Sequence, residues 1–314
     1  MTKLGRFYGG GKLYLTQNEY LRNRFGTKVI KIPLCGGFTC PNIDGSKGIG
    51  GCTYCTGGGS GVFGGDKNDT VSVQFEVVRA LLRGKWGDGL YIPYFQANTG
   101  TYAPLERLRA LYEEALSLEN VVGLAIATRA DCISNDTAAY LMELSKRTYL
   151  TVELGLQTIH DDTAQRINRC HSYTDFLEGY EKLAERGINV VVHIINGLPY
   201  ESREMMLRTA EAVGQLHPHG VKIHMLHLIR GTKMAAEYEA HPFHILTLEE
   251  YVDIVCDQLE LLPEDTVIQR VTGDGDPMTL IAPLWTLKKF VVMNEIDKEL
   301  RRRRREAPGD NIIR

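Results

Sequence analysis

Short apolar runs alternate with amphipathic stretches through the middle of the chain. The runs Lys28–Leu34, Leu90–Phe95, Val121–Thr128, Leu150–Leu156, Ile188–Ile195 and Val221–Leu228 predict strands. Between them, Val73–Gly84, Pro104–Leu116, Asp136–Lys146, Tyr173–Arg186 and Ser202–Leu216 predict helices. Pro104 suits a first helical turn, and Gly187 suits a helix exit. Strands alternating with helices predict parallel β/α units and an α/β fold. Right-handed crossovers then curl six such strands into an open or closed barrel. Ligand sites on barrels lie at the C-terminal ends of strands, so the residues just after each run matter most.

Two regions depart from this rhythm. Residues 35–65 carry twelve glycines and little apolar periodicity. A loop this long within a compact domain is functional or disordered, and after the first strand it falls at the ligand-binding end. Beyond residue 240 the order becomes a helix (Leu248–Leu261), a strand (Thr266–Val271), a Gly/Asp turn and a long helix (Leu284–Arg305). The expected division is a core over residues 1–240 and a C-terminal extension over 241–314.

Composition narrows the class. The 314 residues are 43% hydrophobic and 24% charged, a globular profile. No run of about 18 apolar residues occurs, so no helix is expected to span a membrane. No apolar stretch follows Met1–Arg6, so no secretory signal is expected and the compartment is a reducing cytosol. The seven cysteines are an odd number, which argues against a disulfide scaffold and for metal or redox chemistry. The net charge of −3 does not announce nucleic acid. Its distribution is uneven, because residues 288–314 hold nine basic and five acidic side chains, with Arg301 to Arg305 unbroken. Two readings stand: a solvated helix end, or a contact with phosphates.

Cys40, Cys52 and Cys55 have the spacing C-x11-C-x2-C. Three thiolates on one loop suit three irons of a cubane and leave the fourth iron open. Structural zinc would fill its coordination sphere with a fourth ligand, which Cys35 could supply. Cys35, however, ends the first apolar run, where a buried free cysteine is commonplace.

The stretch CPNIDGSKGIGGCTYC, residues 40–55, resembles the extended cysteine loop of the radical S-adenosylmethionine (SAM) family of bacterial YhcC/YtqA (MnmL-type) proteins, related to the Elp3 group. The resemblance runs over nearly the whole chain. It implies a partial (β/α)6 TIM-type barrel of the radical SAM kind with a small C-terminal α/β extension. It implies a 4Fe-4S cluster on Cys40, Cys52 and Cys55, SAM on the open iron, and an external electron donor. The reaction is cleavage of SAM to a 5′-deoxyadenosyl radical that takes hydrogen from a substrate.

The same resemblance suggests the SAM contacts. Tyr54 matches the aromatic residue before the last cysteine. Gln96, Asn98 and Thr99 follow the second strand, where the superfamily has glycines that meet the SAM amino group; a plain polar loop is the alternative. Gln157 and Arg169 match a glutamine and arginine of oxygen-independent coproporphyrinogen oxidase and the Elp3 group. His193 stands where that oxidase has an aspartate, so a hydrogen-bonded structural role is equally open. Asn196 and Gly197 follow on the same strand. Met225 and Leu226 suit adenine, and His224 and His227 suit substrate. Arg270 and Asp274 flank a turn expected at the barrel mouth.

The substrate implied is the wobble uridine (U34) of tRNA. The conversion is 5-carboxymethylaminomethyl-(2-thio)uridine to 5-aminomethyl-(2-thio)uridine, with Tyr102 or Trp285 available for base stacking. A radical SAM oxidoreductase acting on a small molecule is one alternative. A non-catalytic iron-sulfur or zinc module is another. Sulfur insertion is disfavoured, because Cys132, Cys170 and Cys256 are scattered singly.

Overall fold

The computed structural model describes residues 8–56 and 64–306. Residues 57–63 of the glycine-rich loop and 307–314 of the basic tail lie outside the described residues. The chain runs α1 (Gln17–Phe25), β1 (Val29–Leu34), α2 (Val71–Trp86), β2 (Leu90–Phe95), α3 (Leu105–Leu116), β3 (Gly123–Thr128), α4 (Asn135–Arg147) and β4 (Tyr149–Gln157). It continues with α5 (Asp161–Arg166), α6 (Tyr173–Ala184), β5 (Asn189–Asn196), α7 (Arg203–Gln215), β6 (Gly220–Met225), β7 (Leu228–Ile229) and α8 (Lys233–Ala240). Last come α9 (Leu248–Leu261), β8 (Val267–Arg270), β9 (Leu280–Ala282) and α10 (Lys289–Glu306). Among the described residues no helix is long and apolar enough to cross a membrane.

Seven strands form one sheet in the order β1-β2-β3-β4-β5-β6-β8. Parallel pairing runs from Val29↔Leu90 to Leu34↔Phe95 between β1 and β2, and from Gly123↔Tyr149 to Thr128↔Leu154 between β3 and β4. The chain divides into two compact units. The cysteine unit comprises Leu21–Leu156 and Ala164–Val192. The histidine unit comprises the chain up to Tyr20, Gln157–Thr163, and the chain from His193 on.

In the cysteine unit, β1 alternates, burying Ile30, Ile32 and Leu34. The central strands β3 and β4 are buried on nearly every residue, as strands covered on both faces must be. Polar caps set the helix starts. Thr70, Ser134 and Ser172 each accept from the backbone N–H three residues on. Each such cap is worth about 1 kcal/mol. Gly187 takes φ +66° where α6 ends, a conformation costly for a residue with a Cβ. In the histidine unit, Ser202 and Thr247 cap α7 and α9 in the same way, and Val252, Ile254, Val255 and Cys256 of α9 are buried.

Three expectations need correction. The sixth apolar run does not continue to Leu228, because β6 ends at Met225, and Leu228–Ile229 pairs antiparallel with β9 instead. No Gly, Pro, Asn or Asp between Met225 and Leu228 marks the turn, where the Leu226 N–H donates to the Asn196 carbonyl at 2.8 Å. The Thr266–Val271 strand lengthens the main sheet. As β8 it joins the main sheet beside β6, with Val267 and Ile268 buried, and raises the strand count from six to seven. The last helix starts at Lys289, because Leu284–Lys288 is a tighter 3-10 turn whose Thr286 hydroxyl is tied to the Pro283 carbonyl. The hydrophobic pattern is silent on α1 and α8, which bury only Leu21, and Met234 and Ala235, respectively.

Candidate functional site

The cysteine loop leaves β1 and is held by groups outside itself. Gln74 of α2 takes the N–H and carbonyl of Cys35, at 2.8 and 3.0 Å. Arg107 of α3 donates to the carbonyls of Gly36 and Gly37, at 3.0 and 3.1 Å. Asn98 donates to the Phe38 carbonyl at 2.9 Å, and the Thr99 N–H to the Thr39 carbonyl at 3.2 Å. The Thr53 N–H reaches the Ile167 carbonyl at 3.0 Å, and Asn168 donates to the Gly51 carbonyl at 2.8 Å. Gly48 admits this packing, since a Cβ there would fall 2.2 Å from Asn42 Oδ1 and 2.6 Å from Cys170 Sγ.

Cys52 is buried, and Cys40 and Cys55 are half-buried. A hydrogen bond from Cys55, then the charges of Arg169 and Arg129, pull the Cys52 thiol well below its ordinary range against the opposing effect of burial. Burial, then the neighbouring Cys52 and Cys55, push the Tyr54 hydroxyl up. Among the described residues no three His, Cys, Asp or Glu side chains converge as ligands of a single ion. A cubane asks for something else, one thiolate on each of three irons.

Behind the thiols lies a set of charges that sequence reasoning passes over. Arg129 is 3% exposed and grips Asp131 through two nitrogens, both at 2.9 Å. Its remaining donors reach the carbonyls of Arg169, at 3.0 Å, and Cys170, at 3.4 Å. Lys47, from the loop itself, meets Asp131 at 2.8 Å. Burial raises the Asp131 carboxyl, but Arg129 and Lys47 outweigh it and hold the carboxyl well below the usual range. His171 donates from Nδ1 to the Ser172 carbonyl at 3.1 Å, which leaves Nε2 as the bare acceptor, buried and without a partner among the described residues. Burial, then Arg169 and Arg129, lower His171 to about 3. Attention to strand ends could have found Arg129, one residue past β3.

Arg169 is 5% exposed; it donates to the Gly155 carbonyl at 2.7 Å, while its Nε has no partner among the described residues. Gln96 follows β2, half-buried. Asn98, at φ +59°, and Thr99 are engaged with the loop as above.

Tyr102 and Cys132 also belong to the cysteine unit, and the other residues singled out by sequence lie in the histidine unit. Gln157, at φ +67°, ends β4 with its Oε1 buried and unpartnered among the described residues. Asn196 exchanges reciprocal 2.8 Å hydrogen bonds with Gln258 of α9, so its side chain holds that helix. By alternation it faces away from His193, whose ring centroid lies 5.6 Å from that of His224. Trp285 donates to the Leu246 carbonyl at 2.9 Å and packs on Tyr251. Two members of the arginine run are paired with carboxylates: Arg302 meets Glu299 and Glu306, and Arg303 meets Glu299 and, on α9, Asp253, Asp257 and Glu260.

Residues 48–213 match the radical SAM superfamily, and residues 218–302 match the radical SAM C-terminal domain. A parallel β/α sheet with a three-cysteine loop after its first strand is what that superfamily builds, and the chain belongs to it. Its fold is the partial TIM-type barrel of that superfamily, and it is a radical SAM enzyme that uses a 4Fe-4S cluster and SAM. Within the superfamily it is 50% identical to YtqA of Bacillus subtilis over 292 residues, 93% of this chain and 91% of that protein. It is 34% identical to YhcC of Escherichia coli over 304 residues, 96% and 93% of the two chains. A tRNA uridine(34) acetyltransferase of Methanocaldococcus infernus is 27% identical over 163 residues, 51% of this chain and 30% of that protein. Among solved structures, an Elp3 of the same archaeon superposes with a TM-score of 0.64 at 19% identity, covering 86% of this chain and 63% of that one.

Proposed function

We propose that this enzyme modifies the wobble uridine of tRNA, converting 5-carboxymethylaminomethyl-(2-thio)uridine to its 5-aminomethyl counterpart in the cytosol. The observation that carries the reading is the relatedness to a tRNA uridine(34) acetyltransferase, joined to a thiol loop with buried cations behind it.

Cys40, Cys52 and Cys55 would hold the cluster. The donor set fits: three free thiols on one loop, one of them already lowered toward the thiolate by Cys55, Arg169 and Arg129. Arg169, with a buried and unpartnered Nε, suits the SAM carboxylate, which a guanidinium binds through a fork of donors. Tyr54 and Gln96 complete the contacts proposed in the cysteine unit. For Gln157 the support is its buried, unpartnered Oε1. Asn98, Thr99 and Asn196 act as positioning residues, since their polar groups hold the loop or α9. Arg129 keeps Asp131 ionised and orients the Arg169–Cys170 backbone. When bound and reduced by an external donor, the cofactors supply a hydrogen-abstracting deoxyadenosyl radical. The substrate change is oxidation of the carbon–nitrogen bond to an imine, which water hydrolyses to the aminomethyl product and a two-carbon oxo acid. The two electrons removed leave with methionine and 5′-deoxyadenosine.

The test is mass spectrometry of tRNA nucleosides before and after anaerobic incubation with reconstituted enzyme, SAM and dithionite. Conversion of the carboxymethylaminomethyl nucleoside, lost with Cys52→Ser, supports the reading. Formation of 5′-deoxyadenosine with every wobble nucleoside unchanged would favour a small-molecule substrate instead.

A further inference from the structure

The histidine unit gathers basic side chains for which the cofactor contacts above have no use. Alternation puts Lys222 and His224 on one face of β6, and Lys222 pairs in register with Arg270 of β8. The His193 ring adjoins His224 on that side. Past the end of β6, His227 is braced by backbone: a Cβ on Gly273 would lie 2.6 Å from its Cε1 and 3.0 Å from its Nε2. That Nε2 is buried with no partner among the described residues.

Arg270 meets Asp274 at 2.9 Å through one nitrogen, and the same carboxylate takes Lys289 at 2.9 Å. One carboxylate therefore serves two fixed cations, and the rest of the Arg270 fork has no partner among the described residues. Burial, then the charges of His193, Arg270 and Lys222, hold His224 well below the ordinary histidine range. Its surroundings thus repel a further positive charge and attract a negative one. Gly273 and Asp274 also line a groove of about 420 Å³, closed by Gly275 and Thr286–Val291.

We propose that His224, His227 and Arg270 form an oxyanion subsite that binds a substrate carboxylate. Arg270 offers its open fork, and each neutral imidazole offers one N–H. The carboxylate would pair with the open side of the Arg270 guanidinium, and the groove lined by Gly273 and Asp274 gives room beside it. In the reading above, this is the carboxylate of the carboxymethylaminomethyl arm; only that identity rests on the reading, while the subsite itself does not.

The test is histidine-resolved NMR of the full chain during titration with N-methylglycine, its methyl ester, inorganic phosphate and SAM. N-methylglycine is expected to shift the His224 and His227 resonances, and the ester is not. Arg270→Gln is expected to weaken N-methylglycine binding about 10- to 100-fold, as loss of charge-assisted hydrogen bonds does. Arg270 is exposed, so this variant keeps its fold, and His224→Gln gives a second measurement with the same expectation. Equal shifts from acid and ester, or unchanged binding in both variants, would overturn the proposal. Tighter binding of phosphate than of N-methylglycine would overturn the carboxylate assignment. Loss of SAM binding in Arg270→Gln would reassign the cluster to the cofactor. In a parallel arm, 5-carboxymethylaminomethyluridine and 5-aminomethyluridine are titrated. If N-methylglycine binds and neither nucleoside does, the subsite stands and the wobble-uridine reading falls.

Discussion

Arg129 and Arg169 each stand alone in the sequence, whereas Arg302 and Arg303 belong to a run of five. The isolated pair is buried behind the cysteine loop, its donors are directed at backbone carbonyls and Asp131, and one nitrogen of Arg169 is left without a partner. The two from the run are held by carboxylates of α9 and of α10 itself. A string of like residues is conspicuous in sequence, yet its field is cancelled where each charge has a carboxylate beside it. Two solitary arginines in a poorly solvated place act more strongly on what lies near them.

That contrast can be broken first at Arg129. Arg129→Met leaves Asp131 buried with only Lys47, and removing one member of a buried pair costs about 3–5 kcal/mol, measurable by urea denaturation. Adding Asp131→Leu should recover part of that loss; no recovery would mean that the carbonyl contacts of Arg129 matter more than the ion pair. Next comes Arg169→Gln, expected to weaken SAM binding about 10- to 100-fold in equilibrium dialysis while the reconstituted protein keeps its iron. Loss of the iron as well would mean that the arginine serves the thiolates first.

A smaller effect concerns pH. His171 titrates at about 3 in the folded chain and near 6.5 when unfolded. Below about pH 6.5 the unfolded chain takes up a proton that the native one refuses, so stability falls as the pH drops toward 3. His171→Gln should therefore lose less stability than wild type between about pH 7 and about pH 4; parallel curves would show that the ring is not buried neutral. The smallest effect is expected at Arg302→Ala: unchanged melting temperature, and tRNA affinity within about twofold in filter binding. A large loss of affinity there would restore the phosphate-binding reading of the run.

Much of this frame is legible in sequence because it depends on local pattern. The apolar runs mark the first five strands of the sheet to within a few residues, and Ser and Thr before helices mark caps that form. Cys40, Cys52 and Cys55 stand out in sequence by their spacing, and the structure carries them on one loop after β1. The Arg129–Asp131–Lys47 set is not, because it is assembled across β3 and the loop, about 80 residues apart, and answers to no periodicity. Asn98 and Asn196 illustrate the converse. Each is a polar residue at or just past a strand end, as a ligand contact should be, but whether its amide faces a ligand, a backbone carbonyl as for Asn98 or a side chain as for Asn196 is decided by packing alone. Met225 and Leu228 read as one strand because nothing in their side chains announces that the backbone between them changes partner.

The pairing of β8 has a further consequence, for synthesis. The Ile268 N–H donates to the Leu15 carbonyl at 2.8 Å, and Thr16 bridges to Ile268 in the same direction. Leu15 and Thr16 thus leave the ribosome well before the strand with which they pair. At about 5–20 residues per second, translation of the intervening stretch takes roughly 13–50 s. β6 ends at Met225, so its edge stays open only while the stretch to Val267 is made, roughly 2–8 s at the same rate, and is over that time a template for mispairing with other nascent chains. The order of synthesis therefore makes residues 10–20 and β6 natural clients of a chaperone until β8 is made.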